Sequence, residues 1–318
     1  MDLNPETLAP RLGSLEAALS PRARAVVVAH LFGGRVDLGR VARFCGEHGL
    51  LLVEDCAQAF AGPGEVGHAE ADVSMYSFGT LKTATAFGGA VLRVRDGTVL
   101  ARMRTMEAAY PAQARREHAG RLLNGLFLVI FSQPRVYGGL VRTVARLEAN
   151  LDGVLQSLTK SHPAGASVGE LVRRLRRRPS VPLLALLCRR LERFDPDKLA
   201  ARTAAGERLS NALGPCVVRP GTGCYGRSYW LFPVLVREQK DLIEGLRRRG
   251  FDASRATSSI VALSPPDGAP EPVEATGMLA GIVFLPSPAG LSGSELDRLA
   301  KAVDELAVAE HSVEKAPA

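Results

Sequence analysis

The stretch that decides the fold is Ala25–Asp55, AVVVAHLFGGRVDLGRVARFCGEHGLLLVED. It opens with AVVVA, 25–29, a short β-branched run that reads as a strand. HLFGGRVD follows as a loop. Asp37 stands where it can cap a helix over LGRVARFCGEH, whose Leu38, Val41, Phe44 and Cys45 share one face. Gly49 occupies the usual glycine position just past a helix end. LLLVE, 50–54, is then a second strand, apolar almost throughout. Two such strands around an amphipathic helix make a βαβ unit and predict a parallel sheet covered on both faces.

Working outward, Val73–Ser77 and Ala90–Val94 read as further strands of the same sheet. From about 98 to 210 the pattern turns helical and irregular, with Pro179 and Pro182 as punctuation. Residues 194–213 form a capped helix that leads into strand 228–236, helix 241–251, strand 281–286 and a last amphipathic helix, 292–307. The expected organisation is α/β. Residues 1–110 form a partial large domain with a mostly parallel sheet, 111–210 a helical insertion or linker, 211–310 a small α+β domain, and 311–318 a tail.

Hydrophobic residues make up 46% and charged residues 23% of the 318, a balance that fits a globular protein and excludes a disordered one. The net charge is +7, carried mostly by arginine. The clusters Arg115–Arg116 and RRLRRR, 173–178, have no interleaved aromatics, so solvated helix faces are expected and nucleic acid is not an expected partner. Five cysteines at irregular spacing suggest neither a disulfide framework nor a metal site, and a reducing cytoplasm fits them. No signal peptide is visible at the N-terminus. The longest apolar run, Leu122–Phe131, is too short for a bilayer, which takes roughly 20 residues. A buried helix is the default reading of that run, with peripheral membrane contact as the minority reading.

In an open parallel sheet, ligands gather beyond the carboxyl ends of the strands. Asp55 follows LLLVE, with Gln58 three residues on; Ser77 and Lys82 follow the next strand. Lys82 lies in YSFGTLKTATAFGGAVL, 76–92, among small and hydroxyl residues and with no acid within eight positions. A desolvated lysine is a competent nucleophile toward a carbonyl. A Schiff-base lysine with a nearby carboxylate for a protonated pyridine nitrogen is the protein side of pyridoxal phosphate chemistry. Singly, each residue has a plainer reading: Asp55 as a helix cap, Lys82 as a surface lysine.

VEDCAQAFAG, 53–62, and SMYSFGTLKTATAFGGAVL, 74–92, closely resemble the DegT/DnrJ/EryC1/StrS sugar aminotransferases, which are fold-type I pyridoxal 5'-phosphate enzymes. Residues 19–55 and the closing GIVFLPSPAGLSGSELDRLAKAVDEL, 281–306, are similar to the same family. The resemblance implies that Asp55 binds the pyridinium nitrogen, Gln58 sits near the ring's 3-hydroxyl, Ser77 holds the phosphate, and Lys82 is the catalytic lysine. It further implies a homodimer that takes a nucleotide-linked keto sugar and an amino-acid donor, usually L-glutamate. Arg255, in FDASRATSSI, lies where the family's small domain approaches substrate, and a guanidinium there would suit a donor carboxylate or a diphosphate.

The chain departs from the family at both its start and its middle. The family's N-terminal segment, with a Ser-Gly-Thr loop for the phosphate, has no counterpart in these residues, and 118–160 is longer, more apolar and more helical than the usual loop. A second reading follows, in which the chain is a transaminase-fold accessory protein that acts through a partner. Tyr229 and Trp230 are expected in the core, His30 as a loop-ordering residue, and Gly88–Gly89 in a tight turn. GGRVDLG lacks the Gly-x-Gly-x-x-Gly spacing of a dinucleotide site.

Overall fold

The computed structural model describes residues 1–131, 133, 136, 167–255, 261–265 and 270–313. In chain order the elements are α1 (Leu12–Ala17), β1 (Ala25–Ala29), β2 (Gly34–Arg35), α2 (Gly39–Glu47), β3 (Leu51–Asp55), β4 (Val73–Ser77) and β5 (Ala90–Val94). Helices α3 (Gly97–Ala108), α4 (Arg115–Phe131), α5 (Val168–Leu175), α6 (Val181–Glu192) and α7 (Pro196–Ala212) follow. The chain continues through β6 (Gly226–Arg227), β7 (Phe232–Leu235), α8 (Gln239–Arg248), β8 (Ser254–Arg255), α9 (Val273–Gly281), β9 (Ile282–Leu285) and α10 (Gly293–Val313). They pack as two units, one made of residues 1–74 with 195–318 and the other of residues 75–194.

In the first unit β1 and β3 run parallel, with Ala25 opposite Leu51 and Ala29 opposite Asp55. The expected βαβ unit is present. Helix α2 buries Val41, Ala42, Phe44 and Cys45 and ends one residue before His48, with Gly49 at φ +63°. Asp37 is not the cap expected: the N-cap position falls to Leu38, which makes no side-chain cap, and Asp37, one residue upstream, accepts from Gly39 N–H at 2.9 Å in a local turn. The strands differ from expectation in one respect: they alternate. Val26, Val28 and Leu52 are buried, whereas Val27 and Leu51 are 55% and 56% exposed. A period-2 backbone puts successive side chains on opposite faces, so an apolar run can still have one face open.

Strand β9 forms the common wall of two cores. Ile282 and Phe284 join Val26, Val28, Phe32, Leu38, Val41 and Leu52 on one side. Val283 and Leu285 join Phe232, Val234, Leu242, Leu246, Leu299 and Val303 on the other. All four residues of IVFL are therefore buried. Antiparallel partners β7 and β8 flank β9 on its two edges. Helix α7 carries the expected cap, Asp195, whose Oδ1 accepts from the N–H groups of Asp197 and Lys198.

The strand expected over 228–236 contracts to Phe232–Leu235. Its first half is diverted to the loop after β1. Ser228 N–H donates to Gly33 O at 2.8 Å, Leu231 N–H to Phe32 O at 3.2 Å, and β6 pairs antiparallel with β2. Tyr229 takes φ +46° at this crossing, with its ring buried as expected. Gly33, at φ +89°, lies so close that a Cβ would stand 2.6 Å from both Ser228 Oγ and Trp230 N.

In the second unit the segment after β4 closes on itself around buried Phe78, which receives bonds from Ala86 and Gly88 N–H and donates to Gly89 O. Gly89 makes this return at φ +82°, the turn anticipated for the glycine pair. Helix α4 packs one face against it, through buried His118, whose Nε2 lies 3.2 Å from Ala86 O, and through Gly125 on the Phe87 ring. The expectation of a fully buried helix over Leu122–Phe131 is corrected: Leu122, Leu123, Leu126 and Ile130 are exposed. The rest of the helical stretch expected to 160 lies outside the described residues, as do 314–318 of the tail. The arginine run is solvated as expected, with Arg174 paired to Glu170 and Arg177 to Glu117.

Gly33→Ala should lower the free energy of unfolding by about 2 kcal/mol or more, the sum of an unfavourable backbone and a backbone clash. Urea denaturation followed by the fluorescence of Trp230 measures it; an unchanged midpoint would contradict the crossing described.

Candidate active site

The carboxyl ends of β1 and β3 are tied together by a buried pair. Glu54 is the fourth residue of β3 and alternates inward, beside Leu52. Its Oε1 lies 2.8 Å from His30 Nε2, and both residues are 1% exposed. Val36 N–H donates to His30 Nδ1 at 3.0 Å. That bond fixes the tautomer: Nδ1 is the acceptor, so Nε2 carries the proton and donates it toward Glu54. Glu54 Oε2 accepts from Ser74 Oγ at 2.7 Å and from His68 N–H at 2.8 Å. Burial alone would raise the Glu54 carboxyl, but the bonds from His30, Ser74 and His68 outweigh it and hold the group at about 2. Gly67, at φ +77°, leaves the room that Glu54 and Ser74 fill.

His30 thus orders its loop, as the sequence suggested. Its own N–H donates to Asp55 O at 3.0 Å, and two residues later Phe32 N–H donates to Gln58 Oε1 at 2.7 Å. Phe32 reaches that bond at φ +59°. Asp55 is the last residue of β3, which ends one position later than the expected 54. Its Oδ1 accepts from Ala57 N–H at 2.8 Å, which holds the carboxylate at the strand's end with Oδ2 left over. With Gln58 Oε1 taken by the backbone, its amide N–H groups are the part free to meet an oxygen. Cys56 also lies near; one ligand atom each from His30, Glu54 and Cys56 fall within 4.8 Å of one another. Both imidazole nitrogens are engaged in hydrogen bonds, however, so this trio offers a metal no histidine lone pair.

In the second unit Ser77 ends β4 and Lys82 follows in a tight turn, where Lys82 N–H donates to Gly79 O at 3.1 Å. Both side chains are half-buried. Gly79 lies between them: a Cβ there would sit 3.9 Å from Ser77 Oγ and 4.0 Å from Lys82 Cγ. The structure therefore brings Asp55 to Gln58 in one unit and Ser77 to Lys82 in the other. Arg255 lies elsewhere in the first unit, exposed on β8 opposite Val283. The residues that sequence reasoning missed are Glu54 and Ser74. The available signal was an acid on the inward face of an apolar strand, level with a histidine at the end of the paired strand.

Solved structures agree on the fold. The aminotransferase TlmJ from Streptoalloteichus hindustanus matches 97% of this chain and 72% of its own, with a TM-score of 0.63 at 22% identity. DesI, solved in the presence of its TDP-sugar product, matches 99% and 70%, with a TM-score of 0.63 at 20% identity. Residues 1–121 match the model of the DegT/DnrJ/EryC1/StrS aminotransferase family. L-glutamine:2-deoxy-scyllo-inosose aminotransferase of Streptomyces kanamyceticus is 34% identical over 110 residues, which are 34% of this chain and 26% of that protein. The dTDP-3-amino-3,4,6-trideoxy-alpha-D-glucose transaminase of Micromonospora megalomicea subsp. nigra is 36% identical over 116 residues, 34% of this chain and 31% of that protein. These matches span under a third of the length of either relative.

The low Glu54 value makes a pH prediction. A carboxyl held at about 2 in the folded state and near 4.5 when free contributes stability above pH 4.5 that is lost as pH falls toward 2. Acid titration of the urea midpoint should show this loss in the parent and a flatter profile in Glu54→Gln. Identical profiles for the two would mean that the pair is not ionised as described.

Proposed function

We propose that this chain is a pyridoxal 5'-phosphate-dependent aminotransferase that acts on a nucleotide-linked keto sugar with an amino-acid donor. What supports the reading is the fixed Asp55–Gln58 strand end in one unit and the Ser77–Lys82 turn in the other, in a chain whose residues 1–121 match this family's model. The residues fit the cofactor's chemistry. Asp55 offers a carboxylate for the pyridine nitrogen, Gln58 an amide N–H for the 3-oxygen, Ser77 a hydroxyl for the phosphate, and Lys82 an amine for the aldehyde. A Cβ at Gly79 would make ordinary contact with both Ser77 Oγ and Lys82 Cγ, so the two side chains flank the same point of the turn.

When bound, the cofactor supplies an electron sink for a carbanion. The chain's residues do the rest. Asp55, held through Ala57 N–H and through the His30 loop, keeps the ring nitrogen protonated. Gln58, its oxygen spent on Phe32, donates rather than accepts. Lys82 would hold the cofactor through its amine and would serve as the base that moves a proton at the reacting carbon. Arg255 is assigned to the donor's carboxylate or a diphosphate, by guanidinium pairing. L-Glutamate is the proposed donor, although three relatives' names specify L-glutamine, so both belong in the assay. A homodimer in the cytoplasm, serving polysaccharide or natural-product sugar synthesis, completes the reading. The segment limits at 110 and 210 stand within it.

Added pyridoxal phosphate should give the purified chain an absorbance band in the visible, absent in Lys82→Ala. Asp55→Asn should keep the band but lower amino transfer at least about 100-fold, since the ring then loses its protonated nitrogen. A parent protein that takes up no cofactor would overturn the proposal.

A further inference from the structure

The second unit differs sharply in charge from the rest of the chain. Residues 75–194 hold 20 Arg and Lys against 7 Asp and Glu, a net +13; the whole chain is +7, so the remainder is −6. Uneven charge of this kind points to a polyanionic partner. Helix α4 lies within this cationic unit and shows solvent an unusual face. At 3.6 residues per turn, His118, Gly125 and Leu128 share the packed side. On the outer side Leu123, Leu126 and Ile130 are 53%, 55% and 46% exposed, and Leu122, at the border between the two sides, is 37% exposed. Arg115 and Arg116 lie on that same outer side in the first turn, both exposed. An aliphatic patch with arginines at its rim is costly to leave in water and marks an interaction site.

We propose that the outer face of α4 docks the protein onto an anionic lipid bilayer surface. The complementarity is twofold. The +13 unit is attracted by a negative surface potential, and the leucines and isoleucine enter the boundary between headgroups and acyl chains. Among the described residues no helix is long and apolar enough to cross a membrane, so the contact lies on the surface. The centre of the face is aliphatic rather than a set of stacking platforms and phosphate-binding side chains, which favours lipid over nucleic acid. The docking is independent of the catalytic reading, because Lys82, Ser77, Asp55 and Gln58 take no part in it.

The test is vesicle co-sedimentation of the full chain, with liposomes of phosphatidylcholine alone and of about three parts phosphatidylcholine to one part phosphatidylglycerol. Binding to the anionic vesicles should exceed that to neutral ones at least about tenfold and fall as salt is raised. Leu123→Glu/Leu126→Glu, at two outward positions, should keep the parent's circular dichroism and lose about tenfold or more of that binding. Arg115→Ala/Arg116→Ala should weaken it by less and reduce its salt dependence. Three results would overturn the proposal. One is no preference for anionic vesicles. Another is retention on double-stranded DNA that the leucine variants leave unchanged, with vesicle binding unaltered too. The third is a parent dimer that the leucine variants convert to monomer without any vesicle binding by the parent, which would make the face a contact between copies of the chain.

Discussion

The first unit depends on one buried ionic hydrogen bond, His30 to Glu54. A carboxylate at 1% exposure is tolerable only when its lone pairs are taken, and here three donors take them. The arrangement does more than satisfy Glu54. It ties loop 30–36 to the end of β3, and the same loop supplies the N–H groups that fix Asp55 and Gln58. Replacing one partner would strand the other in an apolar setting, which is why such pairs are costly to break even when their net contribution is small. The structure thus holds Asp55 and Gln58, two of the proposed cofactor residues, through hydrogen bonds from an anchored loop.

What was legible in the sequence follows from locality. β1, α2 and β3 each declare themselves through their own residues, and their limits fall within a residue or so of expectation. Helix α7, with its Asp195 cap, falls within two residues of expectation, and α8 starts two and ends three residues earlier than the expected 241–251, with Gly250 beyond it at φ +85°. Strand 228–236 failed because Ser228 and Leu231 bond to a loop two hundred residues away, and no local pattern encodes that partner. Leu122–Phe131 failed for a related reason: hydropathy shows that a helix is apolar all round but not how many neighbours it has.

The site was legible in a different way. Asp55, Gln58, Ser77 and Lys82 are ordinary residues one by one, and only their spacing after successive strands, together with the family motif, singles them out. Glu54 went unread because an acid at the end of an apolar strand looks like the strand meeting water. Alternation was the overlooked clue: Glu54 shares its face with Leu52, so it had to be inside.

The position of β9 has a consequence for biosynthesis. The core built on Val26, Val28 and Leu52 is closed by Ile282 and Phe284, which the ribosome adds more than two hundred residues later. At about 5–20 residues per second, the nascent β1–α2–β3 layer waits on the order of ten seconds or more for its missing wall. During that interval its inner side chains are uncovered, and translation speed and chaperone occupancy, rather than equilibrium stability, govern how much of the chain reaches the folded state.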